Sequence, residues 1–126
     1  GIKVIVCGGD AEFVMHMGGL TTAGRYTDID LTYIVFDNES NKSTGGQKTY
    51  QEHLKYSAII EASGISNNRS AHSIDEFELC IKNQIYSPGI KSIYVKCSYD
   101  SAAGRPDKSI ILRNTQSIRG LSSNEQ

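Results

Sequence analysis

Two short loops carry the residues best suited to hold a charged ligand. Gly8-Gly9-Asp10-Ala11 follows a strand-like run, Ile2 to Cys7, and Asp37-Asn38-Glu39-Ser40 follows a second, Leu31 to Phe36. Asn38 lies 28 positions after Asp10. If the two strands are parallel neighbours joined by the helix between them, both loops end at one rim of the sheet, where open α/β folds bind ligands. Asp10 and Asn38 could then share one cation. Mg²⁺, a hard ion with octahedral oxygen coordination, neutralises a diphosphate by bridging phosphate oxygens to a carboxylate and to amide or backbone carbonyls. Asp10 would be the anionic ligand and Asn38 the neutral one. The Ser40 carbonyl would be a third, because the chain after a strand end turns back across the rim. Gly8, Gly9 and Ala11 are small enough for backbone N–H groups to approach phosphates at a helix N-terminus, whose dipole favours anions.

The elements that must position these loops alternate along the chain. Glu12 to about Gly24 reads as a helix, with Phe13, Met17, Leu20 and Ala23 at helical spacing. Gly18-Gly19 in its middle costs about 1 kcal/mol per glycine relative to alanine, so something should approach that backbone closely. Met15 and Met17 read as core and helix packing. After strand 31–36 comes a polar loop to about Tyr50, then a helix to about Ser63, stopped by Gly64 in the expected cap position. Asn68 to His72 reads as a short strand. Ser73-Ile74-Asp75-Glu76 has the capping-box pattern and starts a helix ended by Ser87-Pro88-Gly89. Lys91 to Cys97 is the last clear strand. Such alternation predicts a three-layer α/β fold, a mainly parallel sheet with helices on both faces. Residues 98–126 read as a polar arm and frayed tail.

With these residues in place, a resemblance can be stated. The Gly9-Asp10-Ala11 and Asp37-Asn38 pair is similar to the thiamine diphosphate fingerprint, in which Gly-Asp-Gly is followed at a distance by Asn-Asn. Here Ala11 stands for the second glycine and Asp37 for the first asparagine. The stretch from Met15-His16-Met17-Gly18-Gly19-Leu20 to Gly24, the run from Asp37-Asn38 to Ser43-Thr44-Gly45-Gly46-Gln47 and the late Gly104-Arg105-Pro106 together resemble the phosphonopyruvate and sulfopyruvate decarboxylases. The Ser-Thr-Gly-Gly-Gln run also occurs in near form in 2-oxoacid:ferredoxin oxidoreductases.

The resemblance implies a thiamine diphosphate-binding fold, with residues 1–110 as the diphosphate-binding domain, apparently N-terminally truncated, and 111–126 as a polar C-terminal arm or tail. It implies Gly9, Asp10, Ala11, Glu12, Asn38, Ser43 and Thr44 as cofactor-binding residues, and Asp10, Asn38 and Ser40 as Mg²⁺ ligands. The implied reaction is decarboxylation of a small 2-oxoacid, phosphonopyruvate or 3-sulfopyruvate, to the aldehyde and CO₂. The cofactor carries that chemistry, and no residue of this chain is assigned a catalytic role. A separate pyrimidine-binding domain or subunit would supply the activating glutamate, so a homo- or hetero-oligomer is expected and the chain alone should be inactive. Glu12 is a departure: it brings a carboxylate to where small residues normally face phosphates, and an unpaired charge there would repel them unless Lys42 or the metal offsets it.

Length and composition fit this reading. The 126 residues suffice for one domain with a buried core. A formal net charge of -1 offers no basic field for nucleic acid, and the apolar runs are too short to span a bilayer. Cys7, Cys80 and Cys97 are odd in number and widely spaced, which suggests neither a disulfide framework nor a zinc site and points to a reducing cytoplasm.

Bland alternatives stand beside each feature. Gly8-Gly9-Asp10 alone is a common strand-to-helix turn, His16 reads as a structural histidine, and Arg105 as a surface turn residue. Two rival functions follow. One is a degenerate domain without cofactor, serving as a structural or interaction subunit. The other is the beta subunit of a 2-oxoacid:ferredoxin oxidoreductase.

Overall fold

A computed structural model describes residues 2–98 and, beyond them, Ser109 and Asn114, two exposed helical positions. The rest of the expected arm and tail, with Arg105, lies outside the described residues. In chain order the elements are β1 (Lys3–Gly9), α1 (Asp10–Met15), α2 (Gly18–Ala23), β2 (Asp30–Asp37), β3 (Ser40–Asn41), β4 (Gln47–Lys48), α3 (Tyr56–Ala62), β5 (Asn68–Ala71), α4 (Ile74–Gln84) and β6 (Ile90–Lys96). Strands β1, β2, β6 and β5 form a four-stranded sheet in that spatial order, and every pairing in it is parallel.

The central strands are rich in β-branched and aromatic residues because both faces of a parallel sheet must be covered. On one face Val35, Phe13, Leu20, Tyr56, Ile60 and Ile65 form a buried cluster under α1, α2 and α3. On the other, Ile34, Ile93 and Val95 pack against Phe77, Cys80 and Ile81 of α4. The expected three-layer α/β fold is what the chain adopts. At one edge of the sheet β1 leaves Val4, Ile5 and Val6 partly exposed.

Local chemistry sets the element ends. The Ser73 hydroxyl accepts a hydrogen bond from the Glu76 N–H, while Glu76 Oε2 accepts one from the His72 N–H. The capping box thus closes as predicted, reaching one residue further upstream than its usual form. α3 ends in a Schellman motif: Ile65 N–H bonds Ile60 O, Gly64 N–H bonds Glu61 O, and Gly64 takes the left-handed φ of +95° that favours glycine.

Three predicted features differ. The single helix from Glu12 to Gly24 is two short helices broken at His16–Met17, where Gly19 N–H bonds His16 O. The close approach expected at the glycine pair comes from within this break: a Cβ on Gly19 would lie 3.1 Å from the His16 ring. Met15, expected in the core, is 75% exposed because the break turns the end of α1 outward, whereas Met17 does pack against the core. The polar loop before Tyr50 contains the β3–β4 hairpin, and α3 begins only at Tyr56.

Gly24 illustrates how tightly the helix ends meet. A Cβ there would come 2.1 Å from the Ser63 carbonyl oxygen, inside any permissible contact, although its φ of -60° suits any residue. Gly24→Ala should therefore force the ends of α2 and α3 apart. The expected cost is about 2–3 kcal/mol, measurable as a lowered urea midpoint.

Candidate cofactor site

β1 and β2 are parallel neighbours with Cys7 opposite Ile34 and Gly9 opposite Phe36. That register brings the residues after each strand, Asp10 and Asn38, to the same carboxyl rim. They line one cleft of about 400 Å³ with Gly8, Gly9, Ala11, Glu12, Ser40 and Ser43.

Asp10 opens α1 and is 1% exposed. Its Oδ2 accepts a 2.6 Å hydrogen bond from Thr49 Oγ1. Across the cleft, the Asn38 Oδ1 accepts from the Ser40 N–H at 3.0 Å, and Glu39 between them has φ +56°, the left-handed region that non-glycine residues enter only when the surroundings hold them there. The hairpin then aims the backbone. Glu39 O accepts from Thr49 N–H and Asn41 O accepts from Gly46 N–H, both toward the returning strand. Carbonyl direction alternates along an antiparallel strand, so the Ser40 carbonyl faces away from β4.

Behind Asn38, Asp37 is a hub. Its Oδ2 accepts from Tyr94 hydroxyl at 2.5 Å and from Lys96 Nζ at 3.1 Å, and its Oδ1 accepts from the Glu39 N–H. Lys96 also bonds Glu39 Oε1 at 2.5 Å. Burial works against the Lys96 charge, but the Glu39 and Asp37 carboxylates outweigh it and raise its pKa. Burial, and then the hydrogen bond to Asp37, push the Tyr94 phenol above its ordinary range. Tyr56, stacked on Tyr94 at 4.9 Å, is raised chiefly by burial as well.

A phenol or lysine whose folded pKa is raised stabilises fully below its unfolded value and loses that contribution as pH climbs toward the folded value. Stability should therefore fall as pH rises beyond about 10, the unfolded tyrosine value. Tyr94→Phe should flatten that fall in pH-resolved urea unfolding.

The predicted residues separate into groups. Asp10, Asn38, Ser40, Gly9, Ala11 and Ser43 do meet at the cleft. Thr44 is not among its lining residues; its hydroxyl donates to Gln47 Oε1 within the hairpin turn. Glu12 lines the cleft but lies back against β1: a Cβ on Gly8 would sit 3.0 Å from Glu12 Oε2 and 3.1 Å from the Tyr33 hydroxyl. His16 lines a separate apolar cavity with Phe13 and Tyr33. Thr49, Tyr94 and Lys96 were not anticipated. An aspartate in place of the usual asparagine was the available signal, because a buried carboxylate requires donors.

The donor set is oxygen throughout, which suits Mg²⁺ better than a soft metal. Among the described residues no group of three or more His, Cys, Asp or Glu could hold a metal ion. A cation here would combine one carboxylate, one amide and backbone oxygen with oxygens brought by an anionic ligand. A Cβ on Gly9 would meet nothing within 4 Å, so the space on its side-chain side is open to a ligand. These residues fit a metal-bridged diphosphate.

Residues 1–92 match the family described as thiamine pyrophosphate enzyme, C-terminal TPP binding domain. The chain belongs to this family. It is 28% identical over 105 residues to phosphonopyruvate decarboxylase of Streptomyces viridochromogenes, covering 82% of this chain and 26% of that protein. It is 32% identical over 95 residues to sulfopyruvate decarboxylase subunit beta of Methanocaldococcus jannaschii, covering 75% of this chain and 50% of that one. A sulfopyruvate decarboxylase subunit beta of Methanococcus maripaludis is 30% identical over 94 residues. The chain thus spans a quarter to a half of the length of these relatives. Among the described residues, no helix is long and apolar enough to cross a membrane.

Proposed function

We propose that this domain holds the diphosphate of thiamine diphosphate through Mg²⁺, within a decarboxylase that converts phosphonopyruvate or 3-sulfopyruvate to the aldehyde and CO₂. The observation that carries this reading is the parallel pairing of β1 with β2, which brings Asp10, Asn38 and Ser40 to one cleft. Asp10 supplies the anionic ligand, the Asn38 amide oxygen and Ser40 carbonyl the neutral ones. Backbone N–H groups around Gly9 and Ala11 meet the phosphates. Ser43, on the cleft wall, and Thr44, in the turn beyond it, border the cofactor's far end. When bound, the cofactor supplies the electron sink for decarboxylation. The domain's own contribution is to anchor and orient it.

The assembled enzyme requires a pyrimidine-binding domain or subunit. The relatives named as beta subunits support this. So do the apolar side chains Ile2, Val4 and Ile5, exposed at and beside the β1 edge.

Isothermal titration of thiamine diphosphate, with Mg²⁺ and again with EDTA, tests the reading. Binding that requires the metal is expected. Absence of binding in the complex with the partner domain would sink it and favour a domain that keeps the fold without the cofactor. Glu12, an acidic residue among those lining the cleft, is the feature consistent with that second reading.

A further inference from the structure

Thr49 touches both halves of the cleft although it lies on neither of the loops that define it. Its hydroxyl donates to Asp10 Oδ2 at 2.6 Å, and its N–H donates to the Glu39 carbonyl at 3.1 Å. Asp10 begins α1 after β1, while Glu39 follows Asn38 after β2. The two loops are brought side by side by strand pairing, but pairing stops at Gly9 and Phe36, short of both ligand residues. A link beyond the strand ends is needed to set their separation, and the β3–β4 hairpin provides it by returning Thr49 across the rim.

We propose that Thr49 is a positioning residue of this site, fixing the Asp10 carboxylate and tying it to the Asn38 loop. Two physical reasons support the role. A carboxylate has two equivalent oxygens and a soft terminal torsion, so a short hydrogen bond to one oxygen selects which oxygen is left for the cation. Outer partners of this kind govern metal affinity through ligand orientation. The second bond acts on the opposite loop. The Thr49 N–H holds the carbonyl of Glu39, whose left-handed backbone sets the directions of Asn38 and Ser40 on either side. One residue thereby couples the anionic ligand to the neutral ones.

The inference rests on the reading of the cleft as a Mg²⁺–diphosphate site. Its test uses Thr49→Val, which keeps the branched shape and the backbone N–H but removes the hydroxyl, and Thr49→Ser, which restores a hydroxyl. Mg²⁺ is titrated at saturating thiamine diphosphate into the complex with the pyrimidine domain. Cofactor-induced protection against thermal unfolding is the readout, alongside the melting temperature without ligand.

Thr49→Val should weaken the apparent Mg²⁺ affinity about tenfold, the range of lost outer-partner hydrogen bonds. Thr49→Ser should recover most of that loss, which a defect of packing alone would not show. A Val variant with wild-type Mg²⁺ affinity would overturn the role of Thr49 while leaving the site intact. A Ser variant as impaired as Val would overturn it too. Wild-type protein lacking Mg²⁺-dependent protection would overturn the site itself, and this role with it.

Discussion

Asp10→Ala is expected to abolish Mg²⁺-dependent binding of thiamine diphosphate, a loss of at least about a hundredfold, at or beyond the upper end seen for outer-partner substitutions. Asp10 is the only carboxylate proposed as a ligand, so its removal leaves the cation with neutral donors and the diphosphate. The fold should not suffer in proportion. A carboxylate 1% exposed is costly to bury, and the Thr49 hydroxyl is the side-chain partner seen for it. Stability without ligand should change little, because relief of the buried charge offsets the lost Thr49 hydrogen bond, each about 1–3 kcal/mol. Asp10→Asn sharpens the test, since it keeps the size and can still accept from Thr49 but removes the charge. Calorimetry with and without EDTA, paired with melting of the ligand-free forms, separates the two quantities. An Asn variant that binds as tightly as wild type would exclude Asp10 as the anionic ligand.

Lys91→Met should do the reverse, lowering stability by about 3 kcal/mol while leaving the Asp10–Asn38 cleft unchanged. Lys91 is fully buried near the start of β6, at the end of the sheet opposite the cleft. Its ammonium bonds the Asp30 carboxylate, the Ser87 carbonyl at 2.6 Å and the Gly89 carbonyl at 3.0 Å. Methionine can fill the space of the stem. It cannot donate, so two carbonyls lose a partner and, among the described residues, Asp30 keeps Lys3 alone as an ion-pair partner. Hydrogen bonds from Lys3 and Lys91 lower the Asp30 pKa. A carboxyl lowered on folding contributes stability present above its unfolded value of about 3.9 and lost as pH falls below it. The variant should therefore lose part of the wild type's sensitivity to acid as well as overall stability. Urea unfolding across pH 3 to 7 would show both, and a midpoint unchanged at neutral pH would refute the assignment.

Much of the fold was legible because its signals are local. The capping box at Ser73 and Glu76, the glycine stop at Gly64 and the apolar runs of β2 and β6 each act within a few residues, so pattern alone located them. The break at His16–Met17 was not legible as a break. The glycine pair announced a weak point, but a histidine ring packed on Gly19 is an outcome of packing rather than of periodicity. The short β3–β4 hairpin was likewise hidden, since two-residue strands in a polar run leave no alternating pattern.

The same division runs through the site. The sequence by itself supplied the strand-ending loops and offered Asp10, Asn38 and Ser40 as candidates, because residue type and spacing along one chain suffice for those, and its resemblance to known decarboxylases pointed to the family. Only the tertiary structure decided that Thr49 bonds Asp10 and that Tyr94 and Lys96 satisfy Asp37. It also decided that Thr44 belongs to the hairpin turn and that Glu12 lies back over Gly8. Those contacts join residues up to 59 positions apart, and their geometry follows from sheet register and hairpin return. Neither leaves a trace in local sequence, because hydrogen-bond donors and acceptors select partners by distance in space and not along the chain.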